Sequence, residues 1–166
     1  MTRESWHDGT YSHGWGSSAI VGVSWGVMGV HELSPAWATF LVKPKIGSLT
    51  NATIRVPTIR GYINATAAPG ALDVQVPCNS IATLCTPRSS SDGDTLPSAA
   101  THALFLNGAE QTDAVFTPAG HACVARGLGC GAGSAAWQLR LQPRAAAAAA
   151  QAQATMLRGA AATAAA

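Results

Sequence analysis

The segment Leu72-Asp73-Val74-Gln75-Val76 places apolar and polar side chains in strict alternation. This period of two is typical of a β-strand that buries one face and exposes the other. Residues 52–56, 62–67 and 81–86 repeat the pattern, and turn-forming residues bound each segment. Short strands at close spacing predict a mainly β fold, an antiparallel β-sandwich. The residues predicted to face its core are Ile54, Val56, Leu72, Val74, Val76 and Ile81.

Further segments extend the sandwich on both sides of this block. Polar residues 87–100 are expected to form an exposed loop, and the glycine-rich residues 127–133 a turn. Alanine dominates residues 143–166 without an apolar stripe, so this segment is interpreted as a low-complexity tail. The additional predicted strands cover residues 37–43, 102–106, 114–116 and 135–141.

A helix is predicted ahead of the strands, from Ser12 to about Val30, because its apolar residues recur at helical spacing. Five glycines within residues 14–29 each lower the helix propensity by about 1 kcal/mol relative to alanine, so the helix needs neighbours. Trp25 and Trp37 are interpreted as packing residues between helix and sandwich. Where no neighbour covers the helix, we expect an exposed apolar patch and self-association.

Charge and hydropathy argue against two classes of partner. The formal net charge is +2, from 10 basic and 8 acidic residues, which is too weak a bias to predict binding to nucleic acid or to an anionic membrane. The most apolar run, residues 17–30, is interrupted by glycines and shorter than the ~20 residues of a membrane span. We therefore expect neither nucleic acid nor a membrane as partner.

Six residues separate Cys78 from Cys85, and six separate Cys123 from Cys130. This spacing does not match the short-spaced ligand pairs of zinc sites, so no metal site is predicted. Disulfides in any of three connectivities, or free thiols, remain open. Two Asn-Ala-Thr glycosylation motifs, at residues 51–53 and 64–66, are compatible with a secretory route. Other polar residues suggest no site: Arg60 is expected to be solvated, and His31, His102 and His121 to be structural or exposed.

The first fifteen residues concentrate the side chains that a sugar-processing site needs. Glu4 is a carboxylate that could take a proton from water, and His13 supplies an imidazole. Trp6 and Trp15 offer ring faces that could cover the apolar side of a pyranose. These four residues are the candidate site.

In order and spacing, four segments are similar to family 78 glycoside hydrolases, the α-L-rhamnosidases. The segments are Glu4-Ser5-Trp6 with residues 9–15, then Ser34-Pro35-Ala36-Trp37, then residues 56–63 (Val-Pro-Thr-Ile-Arg-Gly-Tyr-Ile), and residues 76–82 (Val-Pro-Cys-Asn-Ser-Ile-Ala). The resemblance covers roughly residues 1–142. It implies that residues 1–35 are the end of an (α/α)6 catalytic barrel and residues 36–142 the C-terminal β-sandwich, followed by the tail.

The resemblance also implies a chemistry, inverting hydrolysis of terminal α-L-rhamnose. Glu4 falls on the general base of the family, and His13 on a histidine of the rhamnose pocket, with Trp6 and Trp15 as aromatic walls. No cofactor is implied. The general acid belongs to earlier barrel helices, which this chain is expected to lack, so the chain alone is expected to be inactive.

Three functions remain open at this point. The chain could be a fragment of an α-L-rhamnosidase, acting on a rhamnose-containing glycoside or polysaccharide together with the missing upstream barrel domain. It could be a free-standing β-sandwich that binds carbohydrate or protein without catalysis. It could also be a remnant without function. The sequence leaves the localisation unknown, although the glycosylation motifs would suit secretion of the parent enzyme.

Overall fold

Two β-sheets share one hydrophobic core in the part of the chain that the computed structural model describes, residues 18–88, 97–130 and 135–144. A short helical segment precedes them, with α1 at Ser18–Val21 continuing as a π-helix over Gly22–Val27. A single 3₁₀ turn, Pro35–Trp37, separates the first two strands. The predicted mainly β sandwich is confirmed.

The first sheet has the order β1-β2-β6-β10-β9, with β11 also pairing with β6. One pair in it departs from the expected antiparallel arrangement, because β2 runs parallel to β6, with Phe40 opposite Ala82. Between these two strands the chain forms three strands of the other sheet, and this long crossover allows β6 to run in the same direction as β2. The strands are β1 (Val30–Glu32), β2 (Thr39–Val42), β6 (Ile81–Pro87), β9 (Val115–Thr117), β10 (His121–Cys123) and β11 (Leu128–Gly129).

The second sheet is antiparallel throughout, in the order β3-β4-β5-β12-β7-β8. Its first three strands follow one another along the chain, and the late strand β12 then inserts between β5 and β7, pairing with both. The strands are β3 (Ala52–Thr58), β4 (Gly61–Ala68), β5 (Ala71–Val76), β7 (His102–Leu106), β8 (Ala109–Gln111) and β12 (Ala135–Pro143).

Alternate residues of the paired strands fill the space between the sheets. Leu72, Val74 and Val76 are buried as predicted, and Ile54 and Val56 are half-buried against the core. The prediction for Ile81 is wrong, since 51% of this residue is exposed. Its strand buries the even-numbered residues Ala82, Leu84 and Thr86, and the period of two therefore turns Ile81 outward.

The predicted helix does not continue to Val30, which instead begins strand β1. The helical segment ends at Val27, and Gly29 follows with a φ of +58°, in the left-handed region that favours glycine. A β-carbon at Gly29 would lie 2.0 Å from the carbonyl oxygen of Lys43. The chain therefore needs glycine where it turns from helix into sheet. The predicted start at Ser12 lies outside the described residues.

Two disulfides use all four cysteines, so the free-thiol alternative is wrong. Cys85–Cys123 joins two residues that face each other across β6 and β10. Cys78–Cys130 joins the turn after β5 to the segment after β11. The bridges close loops of 38 and 52 residues in sequence separation, and in the chain-entropy account each stabilises the fold by about 3–4 kcal/mol.

Other predicted boundaries need correction where the chain is described. Gly127–Gly133 is not simply a turn, because Leu128–Gly129 is strand β11. Of the predicted loop 87–100, Pro87 and Pro97 are buried; residues 89–96 lie outside the described part, as do residues 131–134 and the alanine-rich residues 145–166. The described part contains no helix long and apolar enough to cross a membrane.

Burial on strand β6 makes a direct prediction for stability. Leu84→Ala should lower the free energy of unfolding by about 2–5 kcal/mol, because it leaves a cavity in a fully buried site. Ile81→Ala, on the same strand but half-exposed, is the matched control and should cost clearly less. Urea unfolding of both variants measures the difference, and equal losses would contradict the assignment of inward and outward faces.

Candidate functional site

The predicted catalytic and sugar-binding residues lie ahead of the described part of the chain. Glu4, Trp6, His13 and Trp15 all fall within residues 1–17, and their roles stay predictions. The helical segment that begins at Ser18 is the nearest described element.

This segment exposes apolar side chains to an unusual degree. The helix face, defined here as Ile20 and Val23, has residue exposures of 70% and 50%, and Val21 and Trp25, elsewhere on the helix, are 49% and 56% exposed. The expected apolar patch is thus present. Trp25 does not pack between helix and sandwich as predicted, because it is 56% exposed and contacts only the ring of His31 among the aromatic contacts described, with centroids 5.5 Å apart.

A groove of about 420 Å³ lies between the helix face and the edge of the second sheet. Ile20 and Val23 line it from the helix, and Ile54, Val56 and Pro57 line it from β3. An apolar groove beside an exposed apolar helix is a typical binding site for another helix or chain segment.

The C-terminal end of the helix is firmly held by the first sheet. The Lys43 amide donates to the Gly29 carbonyl at 3.0 Å, and the Lys45 amide donates to the Val27 carbonyl at 2.7 Å. Met28, just beyond the helix, is 1% exposed. The sandwich thus fixes the point where the helix leaves it, while the helix face stays uncovered by the described residues.

Arg60 joins three loops at one end of the sandwich; it is partly exposed, but it also makes hydrogen bonds that the prediction of a solvated side chain did not include. Its Nε donates to the Ala36 carbonyl and its Nη1 to the Asn79 carbonyl, both at 2.6 Å. Ala36 and Asn79 have φ values of +60° and +65°, uncommon for non-glycine residues. Ser80 adds a bond from its hydroxyl to the Trp37 carbonyl at 2.9 Å. Three of the segments that carried the sequence resemblance therefore meet here.

The carboxylates in the described part mostly serve structural contacts. Asp73 accepts two bonds from Arg140, at 2.7 and 3.0 Å, and Glu110 accepts one from Arg144 at 2.8 Å. Glu32 accepts the backbone amide of Trp37 at 2.9 Å. Within residues 18–88, 97–130 and 135–144, no group of His, Cys, Asp or Glu side chains could hold a metal ion.

A second groove, of about 660 Å³, is lined by four prolines together with Lys45, Arg88 and His121. His121 is 3% exposed, and its Nε2 lies 2.7 Å from the Pro44 carbonyl, which requires the proton on Nε2. Burial lowers the pKa of this imidazole, and the bond to Pro44 partly opposes the shift. A neutral His121 therefore holds the Pro44 loop against β10, the structural one of the two alternatives expected for it from the sequence.

The geometry can now be compared with known proteins. Residues 29–101 match the family described as the bacterial alpha-L-rhamnosidase C-terminal domain. The structure is similar to that of an alpha-L-rhamnosidase from Dictyoglumus thermophilum, with a TM-score of 0.54 at 15% sequence identity. The alignment covers 75% of this chain and 14% of that chain, so this chain corresponds to a small part of that protein's length. None of the curated proteins compared with the chain matches it.

Two sheets around one core, entered from a helix, define a β-sandwich domain. The family match begins at Gly29, the residue at which the helix gives way to β1. Residues 29–101 therefore resemble an α-L-rhamnosidase C-terminal domain, and the resemblance predicted from the sequence is confirmed.

The contacts of Arg60 predict a measurable loss of stability when they are removed. Arg60→Ala should lower the free energy of unfolding by about 1–3 kcal/mol, because two carbonyl groups lose a charged donor. Arg126→Ala, at an exposed position in the connection to β11, is the control and should change it by less than about 0.5 kcal/mol. Denaturant unfolding distinguishes the two, and an Arg60→Ala variant as stable as the parent would contradict the junction.

The helix face predicts the association behaviour of the isolated chain. Replacing both Ile20 and Val23 by serine should reduce self-association and the binding of a hydrophobic dye, because both contribute exposed apolar area. Ile59→Ser is the matched control, since Ile59 is 82% exposed but lies at the β3–β4 turn. Light scattering over a concentration series provides the measurement. A parent chain that stays monomeric and binds no dye would contradict the prediction.

Proposed function

We propose that this chain is the C-terminal part of an α-L-rhamnosidase, whose complete form hydrolyses terminal α-L-rhamnose from glycosides or polysaccharides with inversion at the anomeric carbon. One observation carries the proposal: a C-terminal domain of this family, matched over residues 29–101, directly follows the Glu4–Trp15 segment in the chain. In the complete enzyme these two parts would be neighbours.

In this proposal residues 1–35 are the end of the catalytic barrel, residues 36–142 the sandwich, and residues 143–166 a low-complexity tail. The change from helix to strand falls at Met28 and Gly29, inside the first of these parts. The sandwich would then hold the last barrel helix through the Lys43 and Lys45 amide bonds, and so fix the approach of the chain to the active site.

The proposed reaction needs acid–base chemistry alone. Glu4 acts as the general base that removes a proton from water, and a carboxylic acid on the opposite side protonates the departing oxygen. Inverting enzymes hold these carboxyl groups about 6.5–9.5 Å apart to admit the water. His13 contacts sugar hydroxyls, and Trp6 and Trp15 cover the apolar ring faces. The general acid comes from the upstream barrel.

The exposed helix face supports packing of this chain against a barrel domain. Ile20, Val23 and Trp25 leave apolar surface uncovered, and burying such a side chain fully is worth about 1.5–3 kcal/mol each. Neighbouring barrel helices would cover them in the complete enzyme. The upstream barrel domain is accordingly the proposed partner, and a rhamnose-containing glycoside or polysaccharide the proposed substrate.

A free-standing binding module is the second candidate, and the self-contained core favours it. In the described part of the chain, nineteen buried residues form one cluster between the two sheets, and two disulfides close the same part. Such a domain could fold and bind carbohydrate or protein without catalysis. Binding of a rhamnose-rich polysaccharide by the chain alone, in the absence of any turnover with a barrel domain, would favour this candidate.

Activity measurements separate the two candidates. We expect no turnover of an aryl α-L-rhamnoside by the isolated chain, because acid–base assistance is worth about 10²–10⁴ in rate per group and in this proposal the barrel domain supplies the acid. Adding a family 78 barrel domain that lacks its own C-terminal part should restore turnover, and Glu4→Gln should abolish it again.

Asp113→Asn is the matched control for this experiment, because Asp113 is an exposed carboxylate of the sandwich. It should leave the restored rate unchanged. Turnover by the isolated chain that disappears in Glu4→Gln would show that the site is complete without a partner. A stable complex with the barrel domain that shows no turnover would overturn the hydrolase proposal.

A further inference from the structure

Two glycosylation motifs meet on the outer face of the second sheet. Residues 51–53 lead into β3 and residues 64–66 lie within β4. The threonines of the motifs, Thr53 and Thr66, are opposite each other in the strand register, and their hydroxyl oxygens lie 3.1 Å apart. Both threonines are exposed, while Ala65, between Asn64 and Thr66 in β4, faces the core.

The two asparagines differ in accessibility. Asn51 is exposed and precedes the first paired residue of β3, so no sheet ladder holds its backbone. Asn64 is half-buried within β4, and its Nδ2 donates to Gln75 Oε1 at 2.7 Å. Nδ2 is the atom to which a glycan would be joined, so in the folded sheet the Asn64 nitrogen is already occupied and the Asn51 nitrogen is accessible.

The two disulfides indicate in which cellular compartment the asparagines would meet the glycosylation machinery. Disulfides form and persist in oxidising compartments, and two of them close this fold. A chain that acquires them in a secretory pathway meets N-glycosylation in the same pathway. We propose that Asn51 carries an N-linked glycan and that Asn64 does not.

The modification is a group transfer from a lipid-diphosphate-linked oligosaccharide. The Asn51 Nδ2 forms a bond to the anomeric carbon of the first sugar, and the bond from that carbon to the diphosphate oxygen breaks. The lipid diphosphate leaves with the bonding electron pair, and one amide proton passes to a base of the transferase. The motif threonine, Thr53, is required for recognition as an acceptor.

A glycan on Asn51 would lie beside an exposed edge of the second sheet. In the described part of the chain, β3 pairs only with β4 and is an edge strand of the second sheet. Exposed edges pair with other chains, and a bulky, hydrated group at the start of the strand hinders that approach. The glycan on Asn51 would therefore suppress edge-to-edge association.

The protein isolated from its own cells provides the direct test. Enzymatic release of N-glycans in heavy-oxygen water leaves an isotopic label at each formerly glycosylated asparagine, which peptide mass spectrometry reads. We expect the label at Asn51, none at Asn64, and both disulfides intact. An unlabelled Asn51, a label at Asn64 equal to or greater than that at Asn51, or four free thiols would each overturn the proposal.

Matched variants expressed in a secretory host that performs N-glycosylation test the acceptor itself. Asn51→Gln and Thr53→Val should each lose the gel shift that glycan release produces, Thr53→Ser should retain it, and Asn64→Gln should leave it unchanged. Asn51→Gln should also aggregate at lower concentration than Asn64→Gln. Loss of the shift in Asn64→Gln alone would contradict the proposal, and it would do so whatever the outcome for rhamnoside hydrolysis.

Discussion

The parallel pairing of β2 with β6 is the contact on which the rest of the structure depends. It joins the β1–β2 hairpin, and the helix bound to it, to β10, β9 and β11. Phe40 and Leu84 lie on these two strands, and both are fully buried. Without this pairing the first sheet would separate into two pieces, and neither would present a continuous face to the second sheet.

The same pairing explains why the loops at one end are so closely tied. Because β2 and β6 run parallel, both begin at the same end of the first sheet, so the connections that lead into them, around Ala36 and Asn79, meet at that end. Arg60 and Ser80 satisfy backbone carbonyls at that meeting point. Charged and hydroxyl donors are needed there because left-handed turns turn their carbonyls away from the sheet ladders.

Sequence periodicity predicted strands whose pattern lies in their own residues, and it missed contacts between residues far apart in the chain. Leu72, Val74 and Val76 alternate with polar neighbours, so β5 could be predicted from its own residues. All three residues of β10 are buried, including Cys123 and His121, and a strand without alternation leaves no such signal. Arg60 was missed because its partners are backbone carbonyls 24 and 19 residues away, which side-chain patterns do not report. The candidate site at Glu4 came from resemblance to a family and not from periodicity.

Apolar side chains are buried in the core between the sheets but exposed on the helix that precedes it. The core between the sheets is closed, and the largest buried side chains, Phe40 and Met28 among them, need no further cover. Four of the ten exposed large hydrophobic residues in the described part instead lie on the short helix, just before Gly29 fixes the chain to the sandwich. A domain built this way can fold from its own residues, since the uncovered helix face contributes little to that core.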